Sequence, residues 1–317
     1  MIYQLLFLKK GIKKVAGIIA AAIILSGCSS TKLAYRYADW GILLWIGEYI
    51  QLTDTQKTQL ERDILSLQEW HCSTELPRYS EWLAELKQDV QSSNLPKDKV
   101  SYHQGQLFSF IPPLADQIQP AATHLLSSLS DEQIQALSDN IAENQAELEE
   151  EFLAESPEQT MQARAARAKK RIEHWLGSLN DDQTTTLEQW SYNRSRQTEI
   201  WLEGRRKWQQ ALLEVLERRK DTGFDGKIKY LIDNNNELRG SEYQDMLLES
   251  RSSLATLMTD ILQEAEKQQL KHLLDRITAL ESDFNVLSCT EEKNPEQTAD
   301  NTYSEIPLLS QSLILGF

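Results

Sequence analysis

Three times the chain spells the same opening for a helix. Leu52-Thr53-Asp54-Thr55-Gln56 leads to Leu60, Leu129-Ser130-Asp131-Glu132-Gln133 to Leu137, and Leu179-Asn180-Asp181-Asp182-Gln183 to Leu187. Thr53, Ser130 and Asn180 each offer a side-chain oxygen to a first-turn amide. Gln56, Gln133 and Gln183 stand where they can reach back and close a capping box, and the acids favour the positive end of a helix. A weaker fourth copy, Leu262 to Leu270, keeps the leucine spacing with Glu266 in place of Gln, inside a stretch that reads as continuous helix. The copies are unequally spaced, which argues against a solenoid of one repeat length. With only 12 Gly and 8 Pro in 317 residues, the pattern predicts an all-α fold, an elongated bundle of long antiparallel helices with no sheet.

Apolar periodicity and punctuation place the helices. Leu33 to Ile50 reads as one aromatic-rich helix and Asp54 to Cys72 as the next. Glu75 to Gln91 reads as a third, or as a kinked continuation of the second because Pro77 sits near its start. Lys97 to Ile111 is ended by Pro112-Pro113, and Leu114 to Ser127 and Asp131 to Glu155 follow. Ser156-Pro157-Glu158-Gln159 is a further capping box, opening a helix to Leu176 that Gly177 stops. Asp181 to Lys220 reads as one long helix, Asp221 to Gly226 as a loop, Lys227 to Asp233 as a short helix, and Glu242 to Leu287 as a second long one. Residues 288–317 form a polar, aperiodic tail with an apolar end, expected to be largely disordered.

The N-terminus has a different character. Lys9, Lys10, Lys13 and Lys14 precede an apolar run from Val15 to Leu25. That run is too short for a membrane span of about 20 residues and suits a signal peptide, 1–27, that is removed. The run closes on Leu25-Ser26-Gly27-Cys28, which resembles a bacterial lipobox. The resemblance implies that Cys28 is acylated and ties residues 28–287, a helical periplasmic domain, to a bilayer. Ser29, where an Asp would resemble an inner-membrane retention signal, implies sorting to the outer membrane of a Gram-negative bacterium. The formal net charge of the whole chain is −15, and losing four N-terminal lysines makes it more acidic still. Such a surface repels nucleic acid, so none is expected as a partner.

Cys72 and Cys289 then remain in a compartment that forms disulfides, and their even number suggests that they pair. Two unpaired buried thiols are the alternative. A pair would close a very long loop, worth up to about 4 to 5 kcal/mol by chain entropy.

Charge is segregated further on. Asp131 to Glu158 carries acids and no Lys or Arg, whereas Arg164, Arg167, Lys169, Lys170 and Arg171 form a basic run. The simplest expectation is that the two helices lie antiparallel and neutralise one another; a cationic groove for an acidic ligand is the sharper one.

Motifs for catalysis, metal or cofactor binding are lacking, so no catalytic residue, cofactor or metal is expected. His71 and Glu75, four apart, are the best acid–base candidates but have no nucleophile or metal ligands beside them. Trp190, Trp201 and Trp208 fall on one helical seam with Leu187, Gly204, Ala211 and Val215, and a partner helix can approach closely at Gly204. The seam reads first as core; with Arg205, Arg206 and Lys207 at its rim it is also the candidate protein-binding surface. Trp40, Trp45, Tyr49, Trp70 and Trp82 form a second aromatic set near the anchor, as core or as a face toward the bilayer interface.

Tyr37-Ala38-Asp39-Trp40, Leu43-Leu44-Trp45, Trp70-His71, Glu75-Leu76-Pro77-Arg78-Tyr79, Arg205-Arg206-Lys207-Trp208 and Asp283-Phe284 together resemble an uncharacterised family of helical proteobacterial lipoproteins, a domain of unknown function. The L-T-x-x-Q helix starts are similar to the motif of Spy and CpxP, helical periplasmic proteins linked to chaperoning and envelope stress. The expected role is that of an outer-membrane-anchored, non-enzymatic scaffold or accessory factor that binds an envelope protein. The Spy/CpxP resemblance implies the alternative, a holdase-type chaperone.

Overall fold

The computed structural model describes residues 30–92, 95–194 and 196–289. The expected signal peptide, Cys28 and residues 290–317 lie outside the described residues. The chain divides into two units, Met1–Arg36 with Cys289–Phe317, and Tyr37–Ser288. Of the first, helix α1 (Ser30–Arg36) and Cys289 are described.

The second unit is an all-α bundle, and among the described residues there is no strand. Its helices are α2 (Ala38–Tyr49), α3 (Asp54–Trp70), α4 (Leu76–Gln91), α5 (Lys97–Ser109), α6 (Ile111–Ser127), α7 (Asp131–Phe152) and α8 (Pro157–Leu176). They are followed by α9 (Asp181–Tyr192), α10 (Gln197–Leu216), α11 (Phe224–Asp233), α12 (Asn235–Leu238), α13 (Ser241–Gln263) and α14 (Lys267–Leu287).

Several boundaries differ from those the sequence predicts. The first helix is broken at Tyr37. The second and third are continuous, the alternative the sequence leaves open, because a π-helical turn, His71–Glu75, joins α3 to α4; Pro77 follows directly after that turn, at the second residue of α4. Pro112 and Pro113 likewise open α6. Ser156 accepts from the Gln159 amide at 3.2 Å as half of the expected box. Gly223, at φ 84°, lets the chain turn into α11 three residues before the expected start.

The expected helix from 181 to 220 is two helices. After Tyr192 the chain turns, and the Arg194 amide donates to the Ser191 carbonyl at 3.2 Å. Arg164 on α8 holds the bend: its guanidinium donates to the Ser191 and Arg194 carbonyls and, at 2.8 Å, to Thr198 Oγ1. Each of these carbonyls also accepts a backbone amide, from Arg194 and Gln197, so the guanidinium takes up their remaining acceptor capacity at the break. Burial pushes the Arg164 pKa down to about 10, which leaves it charged at neutral pH.

The expected helix from 242 to 287 is also broken, and the break is the fourth copy of the opening motif. Glu266 is the cap and Gln269 its box partner, with the Glu266 amide donating to Gln269 Oε1 at 2.9 Å. The register is therefore Ala265-Glu266-x-x-Gln269 with Leu273, shifted from the leucine alignment.

The four capping glutamines pair with one another. Gln56 and Gln133 exchange amide hydrogen bonds at 3.0 and 2.8 Å, and Gln183 and Gln269 do the same at 3.2 and 2.8 Å. Each Oε1 also accepts from its own cap amide, and each Nε2 also donates to a carbonyl of the segment leading into its partner's helix: Ser128, Gln51, Ile261 and Ser178. A capping box satisfies orphan amides within one helix. Here the same side chain carries the connection on to a second helix, so two helix starts close on each other as a clasp.

Each clasp adjoins a core. Around the first, Ile50 and Leu129, from the turns after α2 and α6, pack with Leu137, Ile141, Leu216, Phe224, Ile228 and Leu231 from α7, α10 and α11. Around the second, Leu176, Leu187, Leu257 and Ile261 pack from α8, α9 and α13. A third cluster joins α4 to α14 through Leu83, Val90 and Ile277. Tyr79 meets Phe284 and Lys87 pairs with Glu281, so α4 and α14 run antiparallel.

Candidate functional site

Breaking the predicted long helix divides the tryptophan seam. Trp190, on α9, packs against the second core with the Arg194 guanidinium over its ring at 5.5 Å, and its buried indole N–H has no acceptor among the described residues. Trp201, on α10, lies against Phe152 at 5.5 Å between ring centroids, and Arg167 covers the same Phe152 ring at 4.5 Å. Trp208 donates from Nε1 to the Leu231 carbonyl at 3.2 Å, locking α10 to α11. The close approach expected at Gly204 is present: a Cβ there would stand 2.6 Å from Cδ2 of Tyr243 on α13. The three tryptophans therefore anchor different helix pairs and do not line one ridge.

The basic residues at the seam are turned inward or paired. Arg205 donates to Gln145 Oε1 at 3.1 Å and Asn144 Oδ1 at 2.7 Å, and burial lowers its pKa. Arg206 bridges Glu149 and Glu203. At the other end of α7, Arg219 donates to Asp131 and to the Leu129 carbonyl. The acidic helix α7 is thus neutralised from α10 and the turn after it as well as from the basic run on α8, where Arg167 faces the Glu151 carboxylate. Within that run Arg164 holds the α9–α10 bend, Arg167 stacks on Phe152 and Lys169 donates to Thr184 Oγ1 at 3.2 Å. Three of the five basic residues are therefore committed within the bundle.

Beside Arg206 lies a cleft of about 290 Å³, lined by residues that include Glu149, Glu199, Ile200, Glu203, Arg206 and Glu242. Its size falls at the lower edge of small-molecule pockets, about 300 Å³. Arg206 is already shared by two carboxylates, and Arg196 pairs with Glu242 at 3.0 Å. Among the described residues the buried Glu199 Oε2 has no hydrogen-bond partner. The lining has more carboxylates than guanidinium groups, so the notch suits one basic side chain rather than an anion. Glu199 escapes sequence reasoning because nothing about an isolated acid on a helix marks it as enclosed.

His71 and Glu75 bracket the π-helical turn. Glu75 is only 1% exposed, and its Oε1 accepts from Arg78 at 2.5 Å while Oε2 has no hydrogen-bond partner among the described residues. The His71 ring meets Tyr79 edge-on at 5.5 Å; burial lowers its pKa, and the Glu75 carboxylate opposes that shift. Cys72, in the same turn, and Cys289 are both disulfide-bonded. The alternative of unpaired thiols does not hold. A wide turn that lodges a carboxylate and a disulfide in the interior is a common use of π geometry at constrained sites.

No curated protein and no solved structure matches the chain. A family of unknown function, DUF6279, matches residues 48–244, a span that includes the first three helix starts and the α9–α10 bend and stops short of α14. Over more than half its length the chain carries the family's pattern, and it belongs to DUF6279.

Proposed function

We propose that this protein is an outer-membrane lipoprotein of a Gram-negative envelope, held by acyl chains on Cys28 with its helical body in the periplasm. There it acts as a non-enzymatic scaffold or accessory factor that binds one envelope protein. The observation that carries the reading is the oxidised state of Cys72 and Cys289 in a chain that opens with a lipobox-like segment. Structural disulfides belong to oxidising compartments, and export is what both features require. We take the two cysteines to be joined to each other. A tether at Cys28 needs no membrane-crossing helix, and among the described residues no helix is long and apolar enough to cross a membrane.

For protein binding, support comes from the acid-lined notch beside Arg206. Its excess of carboxylates, Glu149, Glu199, Glu203 and Glu242 against Arg196 and Arg206, would attract a lysine or arginine of a partner.

Labelling cells with radioactive palmitate tests the anchor: the wild-type chain takes up label and fractionates with outer membrane, and Cys28→Ser does neither. Label on Cys28→Ser, or none on the wild type, overturns it. In-cell crosslinking from Glu203 tests the scaffold and should give one discrete adduct. Suppression of aggregation of a denatured client at stoichiometric amounts, read by light scattering, would favour the holdase reading instead.

A further inference from the structure

We infer that the outward face of α2 is a docking surface for an uncharged lipid interface, an inference that rests on the anchoring at Cys28 proposed above. Tyr37, Trp40, Leu44 and Trp45 recur at the spacing of one helical face, and all four are exposed, Trp40 by 47% and Trp45 by 49%. No residue of α2 is buried. The rest of the helix is fixed to the body: α2 packs on α3 and α7, Ile50 enters the first core, and Asn140 Nδ2 donates to the Tyr49 carbonyl at 2.9 Å. The stripe is therefore presented in one orientation by a helix that cannot turn it inward. A Cβ at Gly41 would meet nothing within 4 Å, so the gap between the two tryptophans is open to solvent as well.

Two observations select lipid as the occupant. Tryptophan and tyrosine rings beside leucine are the side chains that settle at the headgroup level of a bilayer, apolar body inward and polar edge in water. The stripe also starts nine residues after Cys28, and such a segment reaches at most about 30 Å even when fully extended. With Cys28 acylated, the face is held within reach of the headgroups whether or not it binds them. Charge then chooses among lipids. α2 carries Asp39 and Glu48 and no Lys or Arg, on a chain of net charge −15, so a zwitterionic surface is accepted and an anionic one repelled.

The test uses the full chain purified from membranes and reconstituted into phosphatidylcholine vesicles whose acyl chains carry bromine, a contact quencher of indole emission. Wild-type emission is expected to fall on brominated lipid, and Trp40→Phe with Trp45→Phe should lose most of that quenching with helicity unchanged. Exchanging a third of the lipid for phosphatidylglycerol should weaken the quenching. Quenching that is the same in the double variant, or that strengthens with anionic lipid, overturns the proposal. So does a photo-crosslinker at position 45 that captures a discrete protein in cells in place of lipid. Intact mass reads the anchor separately. An unacylated chain that still floats with vesicles and shows Trp40- and Trp45-dependent quenching keeps the docking face and removes the anchor, whereas an unacylated chain that does not float removes both.

Discussion

The two glutamine clasps use one motif in two settings. In the first, Gln56 is 9% exposed and also donates to the Ser128 hydroxyl at 3.1 Å, and the partner Gln133 is only partly buried. In the second, Gln183 is fully buried at 0% and Gln269 is nearly so. The partners are separated by 77 residues in the first clasp and 86 in the second. Closing the longer loop costs only about 0.1 kcal/mol more. What distinguishes the clasps is therefore access to water. A neutral amide with every donor and acceptor used is cheap to bury, and removing it is expensive only where water cannot take its place.

That difference can be broken by experiment. Gln183→Ala leaves the Asn180 amide, the Ile261 carbonyl and one side of Gln269 without partners in the interior, and should cost about 3 kcal/mol or more in urea unfolding. Gln56→Ala deletes an equivalent set of bonds where solvent can enter, and should cost about 1.5 kcal/mol. Equal losses would mean that burial is not what separates the clasps. Gly204→Ala probes the link between the two regions, because α10 lines the first core and meets α13, which lines the second, at this residue. With Tyr243 in the way, about 1 to 3 kcal/mol should be lost, while Gly226→Ala, in open space on α11, should be neutral or slightly stabilising.

The smallest expected effects are those of pH, and they fall in different windows. His174, at the end of α8, has its pKa lowered below 6.5 by partial burial, Arg276 and His272. The unfolded chain therefore takes up this proton first, and stability declines as pH drops from 6.5 toward the folded value. Subtracting the pH curve of His174→Gln from that of the wild type isolates the decline. Asp131, beside the first clasp, is held below 3.8 by Arg219, so its contribution is intact above 3.8 and disappears as pH falls through the lower folded value. Asp131→Asn should flatten the acid limb alone.

The helix starts were legible because capping chemistry is local: Thr53, Ser130 and Asn180 each accept the amide three residues on, as their spacing implies. The ends and interruptions were less so. The α9–α10 bend contains no Pro or Gly to announce it; what braces it is Arg164, on another helix, which bonds its carbonyls and Thr198. Glu266 is an unusual cap, and the leucine spacing concealed its register. The pairing of Gln56 with Gln133 and of Gln183 with Gln269 left one trace, a recurring Gln at the same box position, which capping alone would explain. Of the candidate site, the close approach at Gly204 followed from helical spacing, whereas the dispersal of the tryptophans and the enclosure of Glu199 depend on how three helices meet.

The antiparallel pairing of α4 with α14 gives the chain an order of events. Each clasp lies wholly within its own half, and the first can close once α7 has formed. The α4–α14 contact instead joins a segment ending at Gln91 to one beginning at Lys267. Leu83 and Val90 must therefore wait, uncovered, until the last helix has been delivered. In a chain made from its N-terminus, that interval is when a chaperone would be needed, and a truncated chain would keep that apolar face open to proteolysis.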